Sequence, residues 1–101
     1  MTYLLDVNVL IAMAWPSHIH HRTAREWFLA KGAKAWATSP ITQCGFVRIS
    51  SNLKIIADAV SPHEAHGMLS VMTSHKGHTF WPETIDLSQK GFNSLFVAGH
   101  R

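Results

Sequence analysis

Apolar residues arrive in short blocks separated by capping and breaking residues. Tyr3, Leu4 and Leu5 read as a short buried strand, and Val9 to Ala14 as a compact helix, so Asp6 falls where strand gives way to helix. Pro16 and Ser17 break that helix. A second helix is expected from about His20 to Lys31, stopped by Gly32, with Ala24, Trp27, Phe28 and Ala30 on its apolar stripe and Arg22, Arg25 and Glu26 facing outward. Ala35 to Thr38 forms a second strand. Ser39-Pro40, a capping residue followed by proline, opens a third helix over Pro40 to Ser50. Residues Leu53 to Val60 carry no decisive period. Ser61, Pro62 and Glu64 form a capping-box signature for a fourth helix ending near His75, with Ala65, Leu69 and Met72 buried and Met68 beside them. Gly77 ends it, Thr79 to Trp81 reads as a third strand cut off by Pro82, 84–88 as a loop and 90–97 as a short helix or packing segment. Strand, two helices, strand, two helices, strand implies an α/β fold with a parallel sheet and right-handed crossovers.

Composition narrows the class. With 101 residues, 47% hydrophobic and 15% charged, the chain is one small globular domain rather than a disordered segment. The formal net charge of +3 favours a polyanionic partner. Cys44 is the only cysteine, so no intrachain disulfide can form, and with no signal peptide evident the expected location is the cytoplasm. The apolar opening is too short to span a membrane and is interrupted by Asp6 and Asn8. Eight histidines are the unusual feature of the composition. His63 and His66 have helical i,i+3 spacing, but no Cys or carboxylate accompanies them apart from Glu64, which the cap occupies. Surface positions are therefore expected for most of the histidines.

The candidate chemistry lies at the first strand–helix junction. At the carboxyl ends of parallel strands the chain leaves the sheet, a crevice opens, and a helix N-terminus supplies unpaired N–H groups. Asn8 can serve as the helix cap, which leaves Asp6 as a metal ligand or catalytic carboxylate. Gln43 lies about one turn into the third helix, near the same edge, and Arg48 one turn further on could reach a phosphate.

These residues carry a family resemblance. Leu4-Leu5-Asp6-Val7-Asn8-Val9-Leu10 resembles the opening motif of PIN domains, and the whole chain resembles the VapC-type toxins of bacterial toxin–antitoxin pairs. Trp36-Ala37-Thr38-Ser39-Pro40-Ile41-Thr42-Gln43, then Gly45-Phe46-Val47-Arg48, is similar to the second block of one VapC subgroup. Gly99-His100-Arg101 resembles the run that leads into the next acidic helix. The resemblance implies a PIN-like three-layer α/β/α fold with a short central parallel sheet, residues 1–101 forming a single domain incomplete at its C-terminus. It implies a Mg²⁺- or Mn²⁺-dependent ribonuclease acting on RNA and neutralised by an antitoxin protein.

Matched position by position, Asp6 corresponds to the first family acid, a direct metal ligand, and Asn8 to a companion that holds water. Gln43 stands where many relatives have glutamate. The family's third and fourth acids would follow Arg101, and neither Asp58 nor Asp86 is expected to replace them. Arg48, Arg22, Arg25, Lys54 and Arg101 are the expected RNA contacts. The Tyr3 to Asp6 edge is expected to lie open and to drive homo-oligomerisation or completion by a separate segment. Two other functions are compatible with the residues. One is a non-catalytic PIN remnant that binds RNA or antitoxin. The other is phosphotransfer like that of haloacid dehalogenases with Asp6 as nucleophile, for which Asn8 lacks the acid/base carboxylate.

Overall fold

The computed structural model describes residues 1–82. They form three strands, β1 (Tyr3–Leu4), β2 (Trp36–Thr38) and β3 (His78–Phe80), and four α-helices, α1 (Val7–Ala14), α2 (His21–Trp27), α3 (Pro40–Ser50) and α4 (Pro62–Thr73). The sheet is parallel with order β1-β2-β3, pairing Tyr3 with Trp36 and Leu4 with Ala37, and then Trp36 with His78 and Thr38 with Phe80. The expected α/β class with a parallel sheet is thus the observed one. Among the described residues β1 lies at an edge of the sheet.

Strand β2 is buried on both faces, as strands inside parallel sheets are, whereas Thr79 and Phe80 of β3 are exposed among the described residues. Tyr3 and Trp36 share one face, where the Trp27 ring meets Tyr3 at 5.1 Å and Phe28 meets Trp36 at 5.3 Å, both edge-on. Leu4 and Ala37 occupy the opposite face and are buried too. Helix α1 is apolar on nearly every side, so it packs against both α2 and α3, and its Val9, Leu10 and Ile11 join Leu5, Trp36, Phe46, Ile56 and Leu69 in the core. Gly45 lets α3 approach α1 closely, since a Cβ there would come within 2.5 Å of Val7 Cγ2. At the far ends of these two helices the Trp15 indole N–H donates to the buried Ser50 hydroxyl at 3.0 Å. The Trp36 indole nitrogen, also buried, has no hydrogen-bond partner among the described residues.

Several local expectations change. The cap of α1 is Asp6, whose Oδ1 accepts the Val9 N–H at 3.0 Å, and Asn8 is an exposed residue inside the helix. The α-helical part of the second helix ends early, at Trp27, and the chain widens into a π-helical turn over Phe28–Gly32, where Ala30 is exposed rather than on the apolar stripe. Gly32 is what allows this, because a Cβ would lie 2.7 Å from the Trp27 ring. Helix α4 ends at Thr73, and β3 starts at His78, one residue before the expected strand. Between α3 and α4 the chain forms turns from which Ile56 reaches the core. The expected 84–88 loop, the 90–97 segment, Asp86 and Gly99-His100-Arg101 lie outside the described residues.

Candidate active site at the carboxyl edge of the sheet

The backbone of β1 makes its last sheet contact at Leu5, whose N–H donates to the Ala37 carbonyl at 3.1 Å. Asp6 is the next residue, extended (φ −81°, ψ 174°), and the chain turns straight into α1. Its carboxylate is half-buried at the helix N-terminus. Capping uses one lone-pair site on Oδ1, whereas an ionised carboxylate offers about four. The cap therefore leaves Asp6 able to bind a cation.

Helix α3 leaves the sheet the same way, one strand over. Ser39 caps it in a full capping box with Thr42, and the turn sets Gln43 back over the end of β2. There the Gln43 Nε2 donates to Thr38 Oγ1 at 2.9 Å. The same hydroxyl lies 2.8 Å from His78 Nε2 on the adjacent strand. Thr38 is fully buried, and burial lowers the His78 pKa below the ordinary imidazole value, opposed by a hydrogen bond to the Thr73 backbone.

His78 and Thr38 are the residues that reading the chain alone missed. Their signal is two polar side chains two register positions apart on one face of paired strands, visible only once the register is known. His18 and His21 are also half-buried, whereas His20, His63, His66 and His75 are exposed as expected. Burial, followed by repulsion from His20 and His21, lowers the His18 pKa.

Among the described residues the expected cations are not gathered around Gln43. Arg48 alone among them shares its groove, a cavity of about 510 Å³ between α3 and α4 also lined by Cys44, Val47, His66 and Leu69. Arg22 and Arg25 are exposed on α2, Lys54 is exposed in the turn after α3, and Arg101 lies outside the described residues. Asp58 is exposed in the loop before α4.

The donors at this edge are oxygens, the type that Mg²⁺ and Mn²⁺ prefer. Among the described residues no three His, Cys, Asp or Glu side chains come together to hold a metal ion. This set fits a cation held by one carboxylate, water and substrate phosphate, a common arrangement for Mg²⁺, and not a closed protein cage.

No family model matches the chain. Ribonuclease VapC29 of Mycobacterium tuberculosis is 37% identical to it over 101 residues, all of this chain and 70% of that relative. The chain belongs to the VapC-type PIN-domain family. Two other VapC proteins of that organism are more similar over a shorter reach. Ribonuclease VapC39 is 52% identical over 87 residues, 86% of this chain and 63% of the relative. Ribonuclease VapC38 is 45% identical over 84 residues, 83% of this chain and 60% of the relative. The chain thus spans about three fifths of the length of these two VapC relatives. No helix among the described residues is long and apolar enough to cross a membrane.

Proposed function

We propose that this VapC-family chain is a toxin endoribonuclease that hydrolyses RNA phosphodiester bonds with Mg²⁺ or Mn²⁺ and is neutralised by an antitoxin protein. In this reading residues 1–101 are one PIN domain of three-layer α/β/α form, acting in the cytoplasm and self-associating through the β1 edge. The observation that carries the reading is Asp6, a half-buried carboxylate at the carboxyl end of β1, in a chain whose relatives are named ribonucleases.

Asp6 is the metal ligand and, through Val9, is fixed in place by its own helix. Gln43 supplies a neutral oxygen at the same edge, and Asn8 in the first turn of α1 holds water. Arg48 binds a phosphate along the groove, while Arg22, Arg25, Lys54 and Arg101 add a less directed attraction to the RNA backbone. When bound, the cation would offset charge on the phosphoryl oxygens and make a water nucleophilic.

A second reading, RNA or antitoxin binding without turnover, is favoured by one observation, the lack of a grouped ligand set among the described residues. Incubating the folded chain with mixed RNA in Mn²⁺ or Mg²⁺ separates the two. The first reading predicts cleavage that EDTA and Asp6→Asn each abolish, and binding without cleavage would establish the second.

A further inference from the structure

We propose that Thr38 and His78 are positioning residues that fix the Gln43 side-chain amide so that its oxygen, and not its nitrogen, is presented at the carboxyl edge of the sheet. The argument follows the protons. The Gln43 Nε2 donates to Thr38 Oγ1 at 2.9 Å, and the same hydroxyl lies 2.8 Å from His78 Nε2. An amide nitrogen that donates cannot accept the hydroxyl proton, so of the two partners His78 Nε2 is the acceptor and the ring proton sits on Nδ1. Burial lowers the His78 pKa, in the same direction as a neutral ring whose Nε2 accepts.

Thr38 has a single hydroxyl proton, and Nε2 takes it. Its oxygen can then receive a hydrogen bond but cannot give a second one. The Gln43 NH₂ is thereby held on Thr38, and its Oε1 is the end left for a ligand. His78 on β3 thus sets, through Thr38, the orientation of an amide on α3.

The consequence is chemical. An amide oxygen accepts hydrogen bonds from water on a cation or ligates the cation itself, whereas an amide nitrogen would repel it. Because Thr38 is wholly enclosed, no solvent competes for its hydroxyl, so the relay has one proton arrangement rather than several. The proposal rests on the metal-site reading above only for the identity of the ligand.

The test uses the full chain, ¹⁵N-labelled, in two measurements. Long-range ¹H–¹⁵N NMR of the histidine rings is expected to show His78 as the Nδ1–H tautomer, and an Nε2–H tautomer would overturn the relay outright. Mn²⁺ affinity by EPR is then measured for Thr38→Ser, which keeps the hydroxyl, for the near-isosteric Thr38→Val, for Gln43→Ala and for the double variant Thr38→Val/Gln43→Ala. Thr38→Ser is expected to bind within about twofold of wild type. Thr38→Val and Gln43→Ala each weaken binding by about 10-fold, in the range found for residues that orient metal ligands, and the double variant loses no more than either one.

Additive losses, or a Thr38→Val variant that is folded and binds as wild type does, would overturn the proposal. Loss of folding in Thr38→Val shifts the decision to Thr38→Ser and the His78 tautomer, which remain readable. If wild type binds no Mn²⁺, the metal-site reading fails by itself, and the tautomer decides the relay separately.

Discussion

Asp6 carries two tasks that substitution can separate. Its side chain caps α1 through Val9, and its charge faces the carboxyl edge of the sheet. Asn is as good a cap as Asp, whereas Ala offers no acceptor. Asp6→Ala is therefore expected to lower stability by about 1 kcal/mol, and Asp6→Asn by no more than a few tenths, as read from urea denaturation. Equal losses in the two variants would mean that the charge, not the cap, holds the start of α1. The motif around Asp6 made the residue conspicuous in the sequence but not its capping task. Asp6 and Asn8 are both capping types two positions apart, and only the backbone turn after Leu5 decides between them. His78 was illegible for a different reason. Its partner lies 40 residues away and burial lowers its pKa, neither of which leaves a local pattern.

Among the elements, those with chemical signals at both ends were the legible ones. Ser39-Pro40 opens α3 and Ser61-Pro62 opens α4, as expected, the second with its expected capping box and the first with a box to Thr42 that the sequence reading did not include. Gly32 marked the end of the second helix but not the π-helical form of its last turn, and the turns around Ile56 are held by packing into the core, which leaves no local period.

The box of α4 has a pH signature. The Glu64 carboxyl accepts the Ser61 N–H at 3.1 Å, and these Ser61 hydrogen bonds hold its pKa below the ordinary carboxylate value. A lowered folded pKa gives stability that is complete above the unfolded value and disappears as pH falls through the folded one. Wild type is therefore expected to lose more Tm between neutral and acid pH than Glu64→Gln, which keeps an acceptor but does not titrate. Parallel pH profiles would refute that assignment. The join between α1 and α3 is tested by Ser50→Ala, which strands the buried Trp15 N–H. A loss of about 1–3 kcal/mol is expected by denaturant titration, the usual cost of a buried unpaired donor.

At the scale of the whole molecule, the sequence predicted the parallel α/β sheet because each strand is a short apolar block followed by a helix signal. The same arrangement brings two successive strand-to-helix junctions, those of Asp6 and Gln43, to one edge. What the fold adds is the third strand, which carries His78 to Thr38 and ties β3 to the site. The membership in the VapC family and this edge together make Asp6 the centre of the account. The most direct measurement is Mn²⁺ binding to the folded chain by EPR, wild type beside Asp6→Asn, a variant that keeps the cap and removes the charge. Saturable binding by wild type that weakens at least 10-fold in Asp6→Asn, the scale of a lost metal-site partner, is the predicted result. Equal affinity in the two proteins would contradict the assignment of Asp6 as the metal ligand and, with it, the proposed hydrolytic site.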